Sequence, residues 1–385
     1  MNIKVVNNFK NDRCEAINER YFLAISKDES VTFKGIASDK IYILDSETST
    51  EKEVAPDRVK FFIDDVIYAS GSRDYIIFPT AEMKEDKIVI KYYLYRLEDE
   101  SEGFLYEISL DAESFGFTEK LKVFVLDEFN LLIQKEKDSK FELSLYSADS
   151  GLITQIDTPY LVDNGIYNLY PISGNRCVVH IGKPVLAETI MPEDKKALTG
   201  ECIGIVPVNQ MISEFSINMG NKFIQMIEEC REGTTIPYVR LDGHRLVYAL
   251  HYIGDNKEDI IIFDTETGAK TIRLNSKAIN VTDLQTTFVS DGTPYLVVGA
   301  GKKTKKIINL NTQKTTQILE SGDDVVFVYE DMAVVSREKK NLFGQTSDYV
   351  EVYIFPDIYE NQVMSKKGKY IDCIVNDNDM IIFTD

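Results

Sequence analysis

The stretch IIIFDTETGAKTIRL, residues 260–274, decides the fold, because its pattern of residues recurs along the chain. An isoleucine-rich run comes first, a polar turn with Asp, Thr, Glu and Gly follows, and a second run with Ile and Leu ends the stretch. This order predicts two antiparallel strands that are joined by a tight turn.

The same order of apolar run, polar turn and apolar run occurs seven times in the chain. The seven hairpins cover residues 40–54, 91–110, 141–156, 202–217, 260–274, 306–319 and 350–364. The last apolar residues before their turns are Leu44, Tyr95, Tyr146, Val208, Phe263, Leu310 and Phe355. These positions lie about 52 residues apart on average, which is a spacing typical of stacked four-stranded units.

A second hairpin pattern lies between the first hairpins, with examples at 123–134, 169–181, 239–252 and 325–338. Two hairpins per repeat make one blade of four antiparallel strands. Each blade has two apolar faces and is stable only when it is stacked between neighbours. The sequence therefore predicts an all-β fold, a seven-bladed β-propeller of four-stranded antiparallel blades that forms a single domain over residues 1–385.

The two ends of the sequence bear on the number of blades. A last inner hairpin is predicted at 370–385, and the N-terminal region has strand-like runs at 21–26 and 31–36. We expect the ring to be closed by N- and C-terminal strands that share one blade. An outer hairpin over residues 21–36 would make the closing blade an eighth, so eight blades are the alternative to the favoured seven.

The turn IFDTETG, residues 262–268, resembles the turns of YVTN or quinoprotein-like repeats, which belong to the WD40-like β-propellers. The resemblance lies in the seven outer hairpins and implies the fold rather than an activity. The chain has no Trp, so the Trp-Asp signature of WD40 repeats and the stacked Trp of quinoprotein blades are both absent. A quinone is therefore not implied, and we expect no cofactor.

The long connections predict where a ligand or partner binds. Successive connections between the strands of a blade alternate between the two faces of the propeller. This alternation assigns the long segments to one face; they are 79–87, 111–122, 182–200, 218–235 and 337–348. The insertions at about 182–200 and 218–235 lie next to each other, around blades four and five. Because recognition loops commonly extend from one side of a rigid frame, this long-loop face is the predicted binding surface.

Apolar residues within these connections suggest a docking patch. Phe223, Met226, Ile227 and Cys230 have helical spacing and predict a short amphipathic helix. Its apolar side either covers the end of the barrel or docks a partner protein. The candidate binding residues are Phe223 and Met226, with Ile190 and Met191 of the first insertion and Phe343 of the last long connection.

Charge and cysteine content exclude several classes of function. The chain has 43 basic and 63 acidic residues, a net charge of −20, which disfavours binding to nucleic acids and to anionic membranes. The five cysteines are scattered without a C-x-x-C pair, so we expect reduced thiols rather than disulfides or a zinc site. With no apolar run of signal-peptide or membrane length, the sequence predicts a cytoplasmic protein.

The histidines offer the main candidate for chemistry. His180 and His251 end the second strands of neighbouring predicted blades and would form a metal pair with a third ligand such as Asp255 or Glu188. Strand histidines bonded to backbone groups are commoner, so we expect no metal. No G-x-S-x-G or D-x-D-x-D-G motif occurs either.

Three functions fit these observations. The favoured one is a non-catalytic protein-interaction or ligand-sensing scaffold that binds another protein or a small ligand through the long-loop face. The alternative is a hydrolase or lactonase-like enzyme at the mouth of the central channel, with inner-strand carboxylates and His180 or His251. The third is a structural subunit that uses the acidic rim.

Overall fold

A computed structural model describes most of the chain, and strands dominate it. The residues outside the description are 1, 8, 19, 34, 49, 62–73, 114–118, 138–139, 158, 185–199, 217–223, 243, 254–256, 276–282, 291, 300–304, 341–344, 357 and 377–378. Within the described residues there are 30 strands and 2 short helices. No described helix has the length and the apolar character that crossing a membrane requires.

The chain divides into two compact units, and the unit Arg20–Pro237 contains four sheets. The first sheet includes β3 (Tyr21–Phe33), β4 (Ile36–Asp45) and β5 (Thr50–Glu53). The second sheet contains β6 (Tyr75–Lys84), β7 (Lys87–Arg96) and β8 (Glu102–Asp111). The next contains β9 (Glu119–Val125), β10 (Asn130–Lys137), β11 (Lys140–Ser147) and β12 (Leu152–Ile156). After helix α1 (Pro159–Asn164) come β13 (Ile166–Ile172), β14 (Arg176–Ile181), β15 (Cys202–Pro207), helix α2 (Val208–Ser216) and β16 (Gln225–Glu229).

The second unit combines Met1–Glu19 with Tyr238–Asp385. It contains β1 (Asn2–Val6), β2 (Arg13–Ala16) and most of the sheet β17 (Thr234–Asp242), β18 (Arg245–Tyr252), β19 (Lys257–Asp264) and β20 (Lys270–Asn275). Two further sheets contain β21 (Asp283–Ser290), β22 (Thr293–Gly299), β23 (Lys305–Asn309) and β24 (Lys314–Leu319), and β25 (Asp323–Tyr329), β26 (Met332–Lys340), β27 (Thr346–Ile354) and β28 (Gln362–Lys367). The last strands are β29 (Tyr370–Asn376) and β30 (Asp379–Thr384).

Within the sheets, strands that follow each other in the chain lie side by side and run antiparallel, which is the arrangement of a propeller blade. The predicted all-β propeller of four-stranded antiparallel sheets is therefore confirmed. The stretch that predicted it forms β19 and β20. In the turn between them, the Oδ1 atom of Asp264 accepts hydrogen bonds from the backbone N–H groups of Glu266 at 2.9 Å and Thr267 at 2.8 Å.

The predicted count of seven blades is not confirmed, because the described residues form eight sheets. The additional sheet contains β29, β30 and β1, and β1 pairs parallel to β30 from Asn2 opposite Asp379 onward. An N-terminal strand thus shares a sheet with the C-terminal hairpin, but it is β1 and not the predicted run at 21–26, which belongs to β3 of another sheet. The predicted closure of the ring is not confirmed. No outer hairpin forms over 21–36, since β3 is one strand that pairs with β4. The single domain over 1–385 stays a prediction.

The amphipathic helix predicted around Phe223–Cys230 is wrong for its described part. Gln225–Glu229 is the strand β16, which pairs with β15 and places Met226 opposite Gly204. Helical and strand spacing cannot be distinguished over so short an apolar segment. A helix forms instead at α2, inside the predicted fourth outer hairpin, where Val208 and Met211 are both buried at a helical spacing.

The position of α2 also corrects the prediction that all long connections lie on one face. The connection through α2 joins β15 to β16, whereas the connection of residues 182–201 joins β14 to β15. Consecutive connections of an antiparallel meander leave the sheet at opposite ends. β16 divides the predicted connection 218–235 in two: the residues before β16 belong to the β15–β16 connection, and those after it belong to the β16–β17 connection.

A buried polar network stabilises the sheet β25–β28. The carboxylate of Glu351 is fully buried and accepts hydrogen bonds from Lys339 Nζ at 2.6 Å, Tyr353 OH at 2.6 Å and Ser365 Oγ at 3.0 Å. The Nη1 atom of Arg337 lies 2.9 Å from the same carboxylate. Burial alone would raise the pKa of Glu351, but these donors outweigh it and lower the pKa to about 2.

We expect Glu351→Gln to lower the free energy of unfolding by about 3 kcal/mol near neutral pH, because it removes one partner of a buried charged network. The folded pKa of Glu351 is depressed, so its stabilisation is complete above the unfolded value and is lost as the pH falls toward 2. Urea unfolding at several pH values measures the free energy of unfolding of wild type and variant. The difference between these two free energies should become smaller in acid.

The control is Glu338→Gln, which changes an exposed carboxylate on the neighbouring strand β26. If the difference in free energy of unfolding between wild type and Glu351→Gln stays the same from pH 7 to pH 3, this explanation is contradicted.

Candidate functional site

A pocket of about 250 Å³ opens between the sheets β9–β12 and β13–β16. It lies at the end of these sheets where β10 leads to β11 and where α1 leads into β13, which is the predicted long-loop face. Its lining residues come from β9, β10, β11, α1, β13 and the segment after β14. We call it the lysine pocket, after Lys120, Lys122 and Lys183 in its wall.

A buried glutamine holds the two sheets together at the base of the lysine pocket. The side chain of Gln134 is 5% exposed, and its Nε2 donates to the carbonyl of Ile166 at 3.0 Å. The N–H of Ile166 donates back to Gln134 Oε1 at 2.6 Å. One amide side chain thus satisfies both backbone groups of the first residue of β13, as a neighbouring strand would.

A glycine allows the chain to approach the pocket wall closely. Gly165 has a φ of 67°, and a Cβ at this position would lie 2.7 Å from the ring of Phe141. The carbonyl of Gly165 accepts a hydrogen bond from the N–H of Gly182 at 3.0 Å. Because any larger residue at Gly165 would displace Phe141, which also lines the lysine pocket, this glycine fixes the shape of the site.

The lysine pocket has a positive lining in a chain whose net charge is −20. Lys122 Nζ donates to the backbone carbonyl of Tyr167 and lies 5.1 Å from the centre of its ring. The Nζ atom of Lys120 lies 3.7 Å from Oε2 of Glu136, the acidic residue of the lining. Lys183 is exposed and makes no ion pair within the described part of the chain. The arrangement therefore favours an anion.

An exposed aromatic ring forms one side of the lysine pocket. Tyr167 is 39% exposed, although a ring on an inner strand of a sheet is usually covered. The rings of Tyr167 and His180 pack edge to face, with ring centres 5.1 Å apart and an interplanar angle of 69°. His180 is 1% exposed and supports the tyrosine from inside the protein. The exposed part of the Tyr167 ring is thus available for contact with an apolar or planar group.

His180 belongs to a buried cluster around a carboxylate. Its Nε2 lies 3.4 Å from Oε1 of Glu201, which is itself fully buried. Glu201 accepts a hydrogen bond from the hydroxyl of Thr235, and the N–H of Ile236 lies 3.2 and 3.3 Å from its two oxygens. Glu201 directly precedes β15, whereas Thr235 and Ile236 belong to β17. The carboxylate of Glu201 therefore connects these two strands.

This cluster does not have the geometry of a nucleophilic site. In a serine–histidine type of site the hydroxyl donates to the histidine that acts as its base, but Thr235 and His180 both face the carboxylate of Glu201 instead. The cluster is also closed to solvent. The Nδ1 atom of His180 is buried, and no hydrogen-bond partner for it occurs among the residues described. We therefore assign Glu201 and His180 to the joining of sheets rather than to catalysis.

The candidate metal pair is not brought together with a third ligand in the described structure. His251 is 7% exposed, and its Nδ1 lies 3.3 Å from Glu258 on the next strand. Asp255 and Glu188, the suggested third ligands, lie outside the described residues. No group of three or more His, Cys, Asp or Glu side chains suited to a metal ion occurs among the residues that the structure describes.

The predicted docking residues are only partly described. Met226 is 46% exposed on β16, and its neighbours Ile227 and Cys230 are buried. Phe223, Ile190, Met191 and Phe343 lie outside the described residues, so the docking patch stays a prediction.

Sequence reasoning missed the residues of the lysine pocket. The alternation in EKLKVFV, residues 119–125, does place Lys120 and Lys122 on one side of a strand. It does not show that Tyr167 and Lys183 of the next sheet face the same space.

Comparison with known proteins adds no family. No protein-family model and no curated protein match the chain. Among solved structures, it is similar to an oligogalacturonate lyase in complex with manganese, with 11% identity, a TM-score of 0.46 and coverage of 91% of this chain and 90% of the other. An uncharacterized protein from Listeria monocytogenes EGD-e has 11% identity and a TM-score of 0.45, with coverage of 87% and 92%.

The β-propeller domain of the Trilobed protease from Pyrococcus furiosus has 12% identity and a TM-score of 0.44, with coverage of 93% of this chain and 99% of the other. Similarity at this level carries no information about activity, ligand or partner. The site must therefore be interpreted from its own residues.

We expect Glu201→Ala to lower the free energy of unfolding by about 3 kcal/mol, because it removes a buried carboxylate that accepts from the N–H of Ile236 and from the hydroxyl of Thr235. Hydrogen exchange should show faster exchange of the Ile236 amide, and Glu201→Gln, which keeps an acceptor oxygen, should have a smaller effect. Glu229→Ala at the exposed end of β16 is the control. An Ile236 amide that stays equally protected in Glu201→Ala would rule out this role.

Proposed function

We propose that the protein is a non-catalytic, ligand-sensing β-propeller that binds a small anionic molecule with a planar ring in the lysine pocket. The observation that carries this proposal is the convergence of Lys120, Lys122 and Lys183 on one pocket of a strongly acidic protein. A cluster of positive groups at one pocket attracts and orients an anion through its local field.

The lysines can hold an anion directly. An ammonium group has three N–H donors, and those of the exposed Lys183 can donate to acceptor oxygens in the pocket. Lys122, whose Nζ donates to the carbonyl of Tyr167, adds its positive charge to the lining. A carboxylate or phosphate group offers such oxygens and forms charge-assisted hydrogen bonds, which are stronger than neutral ones.

The size and the aromatic wall of the pocket define the rest of the ligand. A volume of about 250 Å³ lies just below the range of about 300–1,000 Å³ that is common for small-molecule sites, so the ligand is small. The partly exposed ring of Tyr167 favours a planar group that packs against it, with a stabilisation of about 1 kcal/mol. A single ring with one anionic group meets both conditions.

The lining also supports binding rather than catalysis. Its polar side chains in the described structure are lysines, two amides, a tyrosine and one carboxylate. Lys122 is bonded to a carbonyl and Glu136 lies near Lys120, so these groups serve charge and shape rather than proton transfer. A pocket of this kind detects a ligand by the change that binding imposes between the two sheets it joins.

The YVTN or quinoprotein-like repeat family is part of the same proposal and rests on the turn IFDTETG with its Asp264 cap. A cytoplasmic location and a protein partner also remain predictions.

Binding of phenyl phosphate, benzoate and benzamide, measured by isothermal titration calorimetry or saturation-transfer NMR, tests the proposal. The two anions should bind and the neutral amide should not. Lys122→Met and Lys183→Met should each weaken binding of phenyl phosphate by about tenfold, because each removes a positive charge from the lining of the lysine pocket. Tyr167→Ala should weaken binding of both anions by a smaller factor.

The matched control is Lys135→Met, since Lys135 lies on β10 between Gln134 and Glu136 and points away from the lysine pocket. Equal binding of benzamide and benzoate, or an equal loss in Lys135→Met, would refute the proposed site.

A further inference from the structure

A second and larger pocket lies in the unit that contains residues 238–385. It has a volume of about 840 Å³ and opens between the sheets β21–β24 and β25–β28. Its walls come from the turn between β21 and β22, the turn between β25 and β26, and the end of β27. These turns join the first strand of a sheet to the second, whereas the β10–β11 turn at the lysine pocket joins the second strand to the third. The two kinds of turn lie at opposite ends of a sheet.

The base of this groove is rigid and aromatic. The rings of Tyr295 and Phe355 pack edge to face with centres 4.6 Å apart, and Phe288 contacts both of them. The N–H of Phe355 donates to the carbonyl of Asp331 at 2.6 Å, which fixes the end of β27 against the turn before β26. A base that is ordered before binding reduces the entropic cost of association.

The rim of the groove combines negative charge with an uncovered apolar side chain. Glu330 and Asp331 are both exposed in the turn between β25 and β26. Neither carboxylate forms an ion pair or a hydrogen bond with any residue in the described part of the chain. Ile354, across the groove, is 44% exposed, and Pro356 continues this apolar wall.

We propose that this acidic groove, formed by Tyr295, Glu330, Asp331, Ile354, Phe355 and Pro356, docks a basic peptide segment of a partner protein. An arginine or lysine of the partner lies between Glu330 and Asp331, and an adjacent apolar side chain of the partner covers Ile354. The proposal is independent of the function of the lysine pocket, because it concerns other residues in the other unit.

Charge complementarity identifies this occupant. The two carboxylates of the rim have no cationic partner in the described structure, and the net charge of −20 attracts a basic segment over a longer range. The volume exceeds that of one side chain, so a segment of several residues fits better than a single ion. The exposed Ile354 gains from an apolar contact, which a simple cation cannot provide.

Fluorescence anisotropy with labelled synthetic peptides tests the proposal on the full chain. The probe is a short peptide with two central arginines flanked by leucines. One comparison peptide has glutamates in place of the arginines, and another has serines in place of the leucines. We expect the first peptide to bind, with an affinity that falls as salt increases, and both comparison peptides to bind at least threefold more weakly.

Three variants locate the binding site. Glu330→Gln, Asp331→Asn and Ile354→Ser change exposed side chains, so circular dichroism should show unchanged folding, and each should weaken binding of the arginine–leucine peptide at least threefold. Glu338→Gln removes an exposed carboxylate toward the other end of β26 and should leave binding unchanged. Wild-type affinity in the three variants, or an equal loss in Glu338→Gln, would overturn the proposal.

Discussion

The sheets of this protein are apolar on both faces, and this constraint determines how the rest of the structure is built. In β14, Cys177 and Val179 pack into one core cluster, while Val178 between them is equally buried on the other side. A polar group on a strand buried on both faces is costly when it is unpaired, because it loses its hydrogen bonds to water. Gln134 and Glu201 are bonded accordingly, whereas the buried Nδ1 atom of His180 has no partner among the described residues.

The two proposed sites follow from the same constraint. Stacking stops at the ends of the sheets, where side chains reach water and charges carry no penalty for burial. The lysine pocket lies at such an end, with its walls fixed by Gln134 and by the close approach at Gly165. The acidic groove lies at an end formed by the other set of turns, above a packed aromatic base. In both sites a rigid core positions exposed charged groups.

Local patterns predicted the strands well, because alternation and turn chemistry act within a few residues, as the cap of Asp264 shows. They failed at Val208–Ser216 and Gln225–Glu229, where one apolar segment fits both a helix and a strand until a neighbouring strand is present. The candidate site was beyond their reach for a different reason. Lys122 and Tyr167 come from separate sheets, and only the stacking of these sheets brings them together.

The most direct test of the ligand proposal follows the lysines themselves. Biosynthetic labelling with ¹³Cε-lysine leaves every ammonium group unmodified and gives each lysine an NMR signal, which single Lys→Arg variants assign. On titration with phenyl phosphate, the signals of Lys122 and Lys183 should shift together and saturate with one Kd, while that of Lys135 stays in place. Equal, unsaturable shifts of all lysine signals, or no shift of Lys122 and Lys183, would contradict the lysine pocket as a binding site.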